Sequence, residues 1–205
     1  MLADDHPLVL AGLGNILRAE ADIDVVGAVL DSREAVSKAL ELKPNVILMD
    51  FSMPPSGGLE AMITIKEKEP EIRVVILTFI ARGDELLRAL EFGAQGSLLK
   101  TASIAEVVEA VRKAASGEVI LSPTLAAQLL DEFQQGQNSR NGFDISEREA
   151  ETLKLVSDGL TNAVIAERLG ISERMVGTLL QSLVDRLHQN YRSKALDYVT
   201  QQHQS

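Results

Sequence analysis

The residues able to do chemistry are few and fall at telling places. Asp4 and Asp5 follow a short apolar start, Asp50 closes the run Val46-Ile47-Leu48-Met49, Thr78 closes Val74-Val75-Ile76-Leu77, and Lys100 closes Ser97-Leu98-Leu99. A parallel sheet presents its functional groups just beyond the carboxyl ends of its strands, so these five polar residues would converge on one edge. Three carboxylates held together repel one another and call for a cation. Oxygen donors that leave room for water suit Mg²⁺ best. A metal bridging a carboxylate and a phosphoryl oxygen would screen the charge opposing attack by an aspartate on a phosphorylated donor. Lys100 can then pair with another phosphoryl oxygen, and the Thr78 hydroxyl can donate to a third. Each residue also has a plain structural reading: Asp4-Asp5 as the cap of a helix that begins at Pro7, Asp50 as a turn residue, Thr78 and Lys100 as surface groups at strand ends. Their joint order along the chain favours chemistry.

The elements that must position these groups follow from periodicity. Short apolar runs alternate with longer amphipathic segments through the first hundred residues, which is the pattern of βαβ units and a covered parallel sheet. Strands are expected at Ile23–Leu30, Val46–Met49, Val74–Leu77 and Ser97–Leu99. Helices are expected after Pro7, with Leu10, Leu13, Ile16 and Leu17 on one stripe, then from Ser32, over Leu59–Glu67, Asp84–Phe92 and Ile104–Ala115. Met1–Ala3 reads as the end of a first strand too short for a central position, so the start is expected to be clipped or mis-assigned and the middle of the sheet weakened.

After Gly117 the alternation stops. Ser122-Pro123 opens a helix running to about Phe133, with Ser as cap and Pro at the first position. Gln134–Asn141 is polar and reads as a linker. Ser146-Glu147-Arg148-Glu149 is a capping-box pattern that starts a helix to about Asp158. Thr161 caps a second to Leu169, the turn Gly170-Ile171-Ser172 leads into a third ending near His188, and a fourth spans Arg192 to about Gln202. Two helices joined by a short turn containing Gly form a helix-turn-helix. The domains expected are 1–116, a linker helix and flexible linker over 117–143, and 144–205.

Composition excludes several classes. There is no cysteine, hence no disulfide framework and no thiolate metal site. No apolar run approaches the roughly 20 residues of a membrane helix, and no leader is apparent, so a cytoplasmic protein without membrane contact is expected. A net charge of −10 argues against a general nucleic-acid coat. The last segment, 144–205, carries seven Lys and Arg against nine Asp and Glu, so not even the helix-turn-helix is basic.

Three segments, Ala3-Asp4-Asp5-His6-Pro7-Leu8-Val9, Val46-Ile47-Leu48-Met49-Asp50-Phe51-Ser52-Met53-Pro54 and Gly93-Ala94-Gln95-Gly96-Ser97-Leu98-Leu99-Lys100, resemble the receiver of the NarL/FixJ two-component response regulators. Gly159-Leu160-Thr161-Asn162 and Ile165-Ala166-Glu167-Arg168-Leu169-Gly170-Ile171-Ser172 resemble their LuxR-type DNA-binding domain. The resemblance implies a flavodoxin-like, doubly wound, five-stranded parallel-sheet receiver followed by a small all-α, four-helix helix-turn-helix domain. It implies Asp50 as phosphoacceptor, and Mg²⁺ held by Asp5, Asp50 and the backbone carbonyl of Ser52, with Asp4 acting through water. Thr78 and Lys100 would sense and pair with the phosphoryl group. Such a protein takes phosphate from a sensor histidine kinase, pairs as a homodimer when phosphorylated, binds promoter DNA and regulates transcription; it catalyses only its own phosphorylation and dephosphorylation.

Several positions depart from the family, with Met175 and Leu179 standing where the recognition helix usually has Thr and His, and two others bearing on function. Ser97 stands where an aromatic residue three before the lysine usually couples the pocket to the neighbouring face. Gly177 stands where the recognition helix usually carries a lysine, and a glycine there costs the helix about 1 kcal/mol relative to alanine. With Val176, Leu180, Leu183 and Leu187 facing the core, the candidate DNA contacts are Arg174, Thr178, Gln181, Ser182 and Arg186, with Asn162 on the preceding helix. The missing cation motivates an alternative: a receiver-controlled regulator that acts through protein contacts, its helix-turn-helix having lost or weakened specific DNA binding.

Overall fold

The computed structural model describes the backbone of residues 1–79, 83–136 and 145–202, and the side chains of residues 1–79, 85–133 and 145–189. Five strands, β1 (Leu2–Ala3), β2 (Ala28–Val29), β3 (Val46–Asp50), β4 (Arg73–Thr78) and β5 (Gly96–Leu99), form one parallel sheet in the order β2-β1-β3-β4-β5. The helices between them are α1 (Pro7–Arg18), α2 (Ser32–Leu42), α3 (Gly58–Lys68), α4 (Gly83–Glu91) and α5 (Ile104–Ser116). The later helices are α6 (Pro123–Gly136), α7 (Glu147–Ser157), α8 (Asn162–Leu169) and α9 (Glu173–Gln202).

All of β3 and four consecutive residues of β4, Val74 to Leu77, are buried, as befits central strands covered on both faces. On one face Leu2, Leu48, Val75 and Leu77 meet Leu10 and Leu17 of α1 and Val107, Val108 and Ala114 of α5. The stripe read from the sequence of α1 is thus the face that anchors the sheet. The strand expected at Ile23–Leu30 is regular only at Ala28–Val29, because β1 offers two residues for it to pair with. Ile23 and Val25 still pack against the core, from irregular backbone.

Local signals fix the helix ends. The Asp31 carboxylate accepts from the Glu34 N–H at 2.7 Å, and Ser103 and Ser146 each form a capping box, with Glu106 and Glu149. The Ser122 hydroxyl accepts from the Leu125 N–H at 3.3 Å. Gly58 has a different purpose: a Cβ there would come within 1.9 Å of the Asp50 carbonyl oxygen, so only glycine lets α3 start against the end of β3.

By Cα proximity the chain divides into two compact units, Met1–Ala81 with Gly93–Ile120, and Arg82–Phe92 with Leu121–Ser205. Within the second unit α6 packs on α4 and α7, and α9 packs on α4, α7 and α8. The helix expected to stop near Phe133 runs to Gly136, so the first residues of the polar stretch are helical; its remainder, from residue 137, lies outside the described residues. The two helices expected over Ser172–His188 and Arg192–Gln202 are one continuous α9. Neither Gly nor Pro stands between Leu187 and Gln202, so nothing in the chain breaks the helix there. Among the described residues no helix is long and apolar enough to cross a membrane.

Candidate functional site

Strands β1, β3, β4 and β5 each end in or lead into a polar residue at the same edge of the sheet. Asp4 follows β1 with 0% exposure, Asp50 ends β3 with 5%, and Lys100 follows β5 with its side chain 2% exposed. The Lys100 N–H donates to the Thr78 carbonyl at 2.8 Å, which ties the ends of β4 and β5 together. Lys100 Nζ lies 2.6 Å from Asp4 Oδ2 and 3.0 Å from Asp50 Oδ1, so one buried ammonium serves two carboxylates from different strands. Both contacts are ion pairs by distance, but the ammonium lacks hydrogen-bond geometry. Burial pushes the Asp50 carboxyl above the usual carboxylate range; Lys100 opposes that rise and the Asp4 charge adds to it.

Asp5 completes the acidic set on the more open side, with its side chain 30% exposed. The structure adds a residue that sequence reasoning left out. His6 Nδ1 lies 2.6 Å from Asp5 Oδ1 and 3.3 Å from Asp4 Oδ1, and Asp4 Oδ1 also accepts the His6 backbone N–H at 2.9 Å. Adjacency in sequence was the available signal, since an Asp at a helix start commonly accepts an N–H two residues on. Phe79 was missed as well: its ring sits 5.0 Å from Lys100 Nζ and meets His6 edge-on.

Ligand atoms of Asp4, Asp5, His6 and Asp50 all lie within 4.8 Å of one another. Asp4 Oδ2 and Asp5 Oδ1 are buried and accept no hydrogen bond. Each does lie 2.6 Å from a nitrogen, of Lys100 and His6 in turn, and such hard carboxylate oxygens, gathered with that of Asp50, fit a small divalent cation such as Mg²⁺. Ser52 is exposed in the loop after β3, and its backbone N–H helps hold the Asp50 carboxylate in its charged form. Ser97 is 4% exposed, in register with Ile76, and its hydroxyl has no hydrogen-bond partner.

In the C-terminal helices Val176, Leu180, Leu183 and Leu187 are all buried, as their spacing predicts. Arg174, Thr178 and Ser182 are exposed, one helical turn apart from each other along α9. The Thr178 hydroxyl donates to the Arg174 carbonyl at 2.9 Å, and the Gln181 amide donates to Asp185 Oδ1 at 2.8 Å. Asn162 opens α8, half-buried. The Arg186 guanidinium is bound to the buried Glu149 carboxylate, so it ties α9 to α7.

A parallel sheet with this acidic edge, followed by a helix-turn-helix, defines a phosphorylation-type receiver coupled to a DNA-binding module. Residues 1–112 match the family model described as the response regulator receiver domain, and residues 144–199 match that of the bacterial regulatory proteins of the luxR family. The chain belongs to the NarL/FixJ-type response regulators with a LuxR-type DNA-binding domain. It is 35% identical over 204 residues to the transcriptional regulatory protein LiaR of Bacillus subtilis (strain 168), covering 99% of this chain and 97% of that relative. It is 34% identical over 201 residues to the response regulator protein VraR of Staphylococcus aureus, covering 98% and 95%. Among solved structures it is similar to the response regulator ChrA of a heme-sensing two-component system, with a TM-score of 0.52, 32% identity and 96% of both chains covered. A LuxR-family response regulator from Aurantimonas sp. SI85-9A1 matches with a TM-score of 0.60 and 32% identity, over 64% of this chain and 94% of that one.

Proposed function

We propose that Asp50 is the phosphoacceptor of a two-component response regulator whose phosphorylation by a sensor histidine kinase controls DNA binding in the cytoplasm. The carrying observation is the buried Lys100 ammonium 2.6 Å from Asp4 and 3.0 Å from Asp50. The cation opposes the rise that burial imposes on the Asp50 carboxyl, and it is already in place for the oxygens of an incoming phosphoryl group. An Asp50 oxygen bonds to phosphorus while the bond from phosphorus to the donor's imidazole nitrogen breaks, and the leaving imidazole takes up a proton. Asp4, Asp5, Asp50 and the Ser52 carbonyl would hold Mg²⁺, which when bound neutralises the charge that otherwise repels the donor. Thr78 and Lys100 hold the phosphoryl oxygens afterwards; Ser97, small and buried, replaces the family's aromatic ring with a hydroxyl at the end of that path.

The receiver takes residues 1–116, the linker helix and linker 117–143, and the DNA-binding domain 144–205. The phosphorylated protein pairs as a homodimer on promoter DNA, which it reads through Arg174, Thr178, Gln181, Ser182 and Asn162. Its only catalysis is its own phosphorylation and dephosphorylation. In Mg²⁺ with acetyl phosphate, the wild-type chain takes up label and Asp50→Asn takes up none; label retained in Asp50→Asn overturns the assignment.

A further inference from the structure

Phe79 is the first residue past β4, and the fold gives it no core to fill: it is 59% exposed. A single exposed ring is ordinary in itself. Its neighbours set this one apart. Lys100 Nζ, on a side chain only 2% exposed, lies 5.0 Å from the ring centroid. The His6 imidazole meets the ring edge-on, centroids 6.4 Å apart and planes at 81°. The ring is therefore the outer layer over the ammonium, and His6, itself held by Asp5 at 2.6 Å, buttresses its edge.

We propose that Phe79 is a positioning and shielding residue: it holds Lys100 over Asp50 and keeps water from the phosphoryl group that Asp50 carries. The inference rests on Asp50 being the phosphoacceptor. An acyl phosphate is lost when a water oxygen bonds to phosphorus as the bond from phosphorus to the Asp50 oxygen breaks, releasing inorganic phosphate, the free carboxylate and a proton. The ring lies on the Lys100 side of Asp50, so it would stand in the way of water arriving from there. The negative face of an aromatic ring also attracts an ammonium, which an aliphatic side chain of equal size would not do. Removing the ring both opens the path and loosens the cation; keeping a ring of the same shape preserves both.

The test uses the full chain in Mg²⁺, loaded with acetyl phosphate, freed of donor, and followed by phosphate-affinity gel electrophoresis. Phe79→Ala should lose its label about tenfold faster than wild type, and Phe79→Tyr should stay within about twofold. Because the ring is largely exposed, the melting temperature of Phe79→Ala should match wild type, which separates shielding from a folding defect. Decay of Phe79→Ala at the wild-type rate, or of Phe79→Tyr at the Phe79→Ala rate, overturns the shield. A wild-type chain that takes no label overturns the phosphoacceptor reading and the shield with it, whereas normal loading with equal decay overturns the shield alone.

Discussion

Two residues in different parts of the chain, Asp50 and Glu149, are buried carboxylates held against a cation, and they end with opposite shifts. For Asp50 burial wins and the carboxyl lies above its usual range. For Glu149 burial also raises the value, but the Ser146 N–H and hydroxyl, both at 2.8 Å, and the Arg186 guanidinium outweigh it, so the carboxyl ends below the usual 4.5. A depressed folded value means stability that is fully present above the unfolded value and lost as pH falls through the folded one. Arg186→Ala should therefore lower the unfolding free energy by about 1–3 kcal/mol at neutral pH, because Glu149 stays buried with its charge-assisted partner gone. The difference from wild type should shrink as pH falls through the depressed Glu149 value, where the carboxylate protonates in both proteins. Urea unfolding at neutral and acidic pH measures both; equal stability at neutral pH would return Arg186 to the phosphate-contact role that sequence alone suggested.

At the scale of elements, the caps and breakers written in the chain are the ones the structure uses. Ser146 with Glu149, Thr161, Gly170 and Ser172 each mark a helix end where local chemistry demands one. Local chemistry is also what misleads at Gln189–Tyr191, where polar residues suggest a break that no Gly or Pro enforces. The face of α9 opposite its buried stripe carries Arg174 as its exposed cation near the start, with Gly177 where a lysine is usual and Met175 48% exposed beside it. Gly177→Lys should strengthen DNA binding and steepen the dependence of log affinity on log salt by about 0.9, the share of one further phosphate contact. Filter binding of a target promoter across a salt series reads the slope. An unchanged slope would mean that this face of α9 does not meet the DNA backbone.

At the scale of the whole molecule, a chain of net charge −10 approaching a polyanion gains little from unspecific attraction, so binding must be earned by pairing and by specific contacts. Acetyl phosphate in Mg²⁺ should convert monomer to dimer in sedimentation and raise promoter affinity by about tenfold or more, with Asp50→Asn unresponsive in both. A wild-type chain that dimerises equally without label would separate assembly from phosphorylation. The sequence by itself determined which residue types stand at the strand ends, the period of each helix and the caps that start them, because these depend on neighbours within a few positions. It put Asp4, Asp5, Asp50, Thr78 and Lys100 at or just past strand ends, which parallel connectivity sends to one edge. Only the tertiary structure decided that Lys100 bridges Asp4 and Asp50, that the Phe79 ring lies beside it and meets His6, that Arg186 pairs with Glu149, and that β2 shrinks to match β1. Each of those is a contact between residues remote in sequence, whose distance is set by packing and register and leaves no periodic trace in the chain.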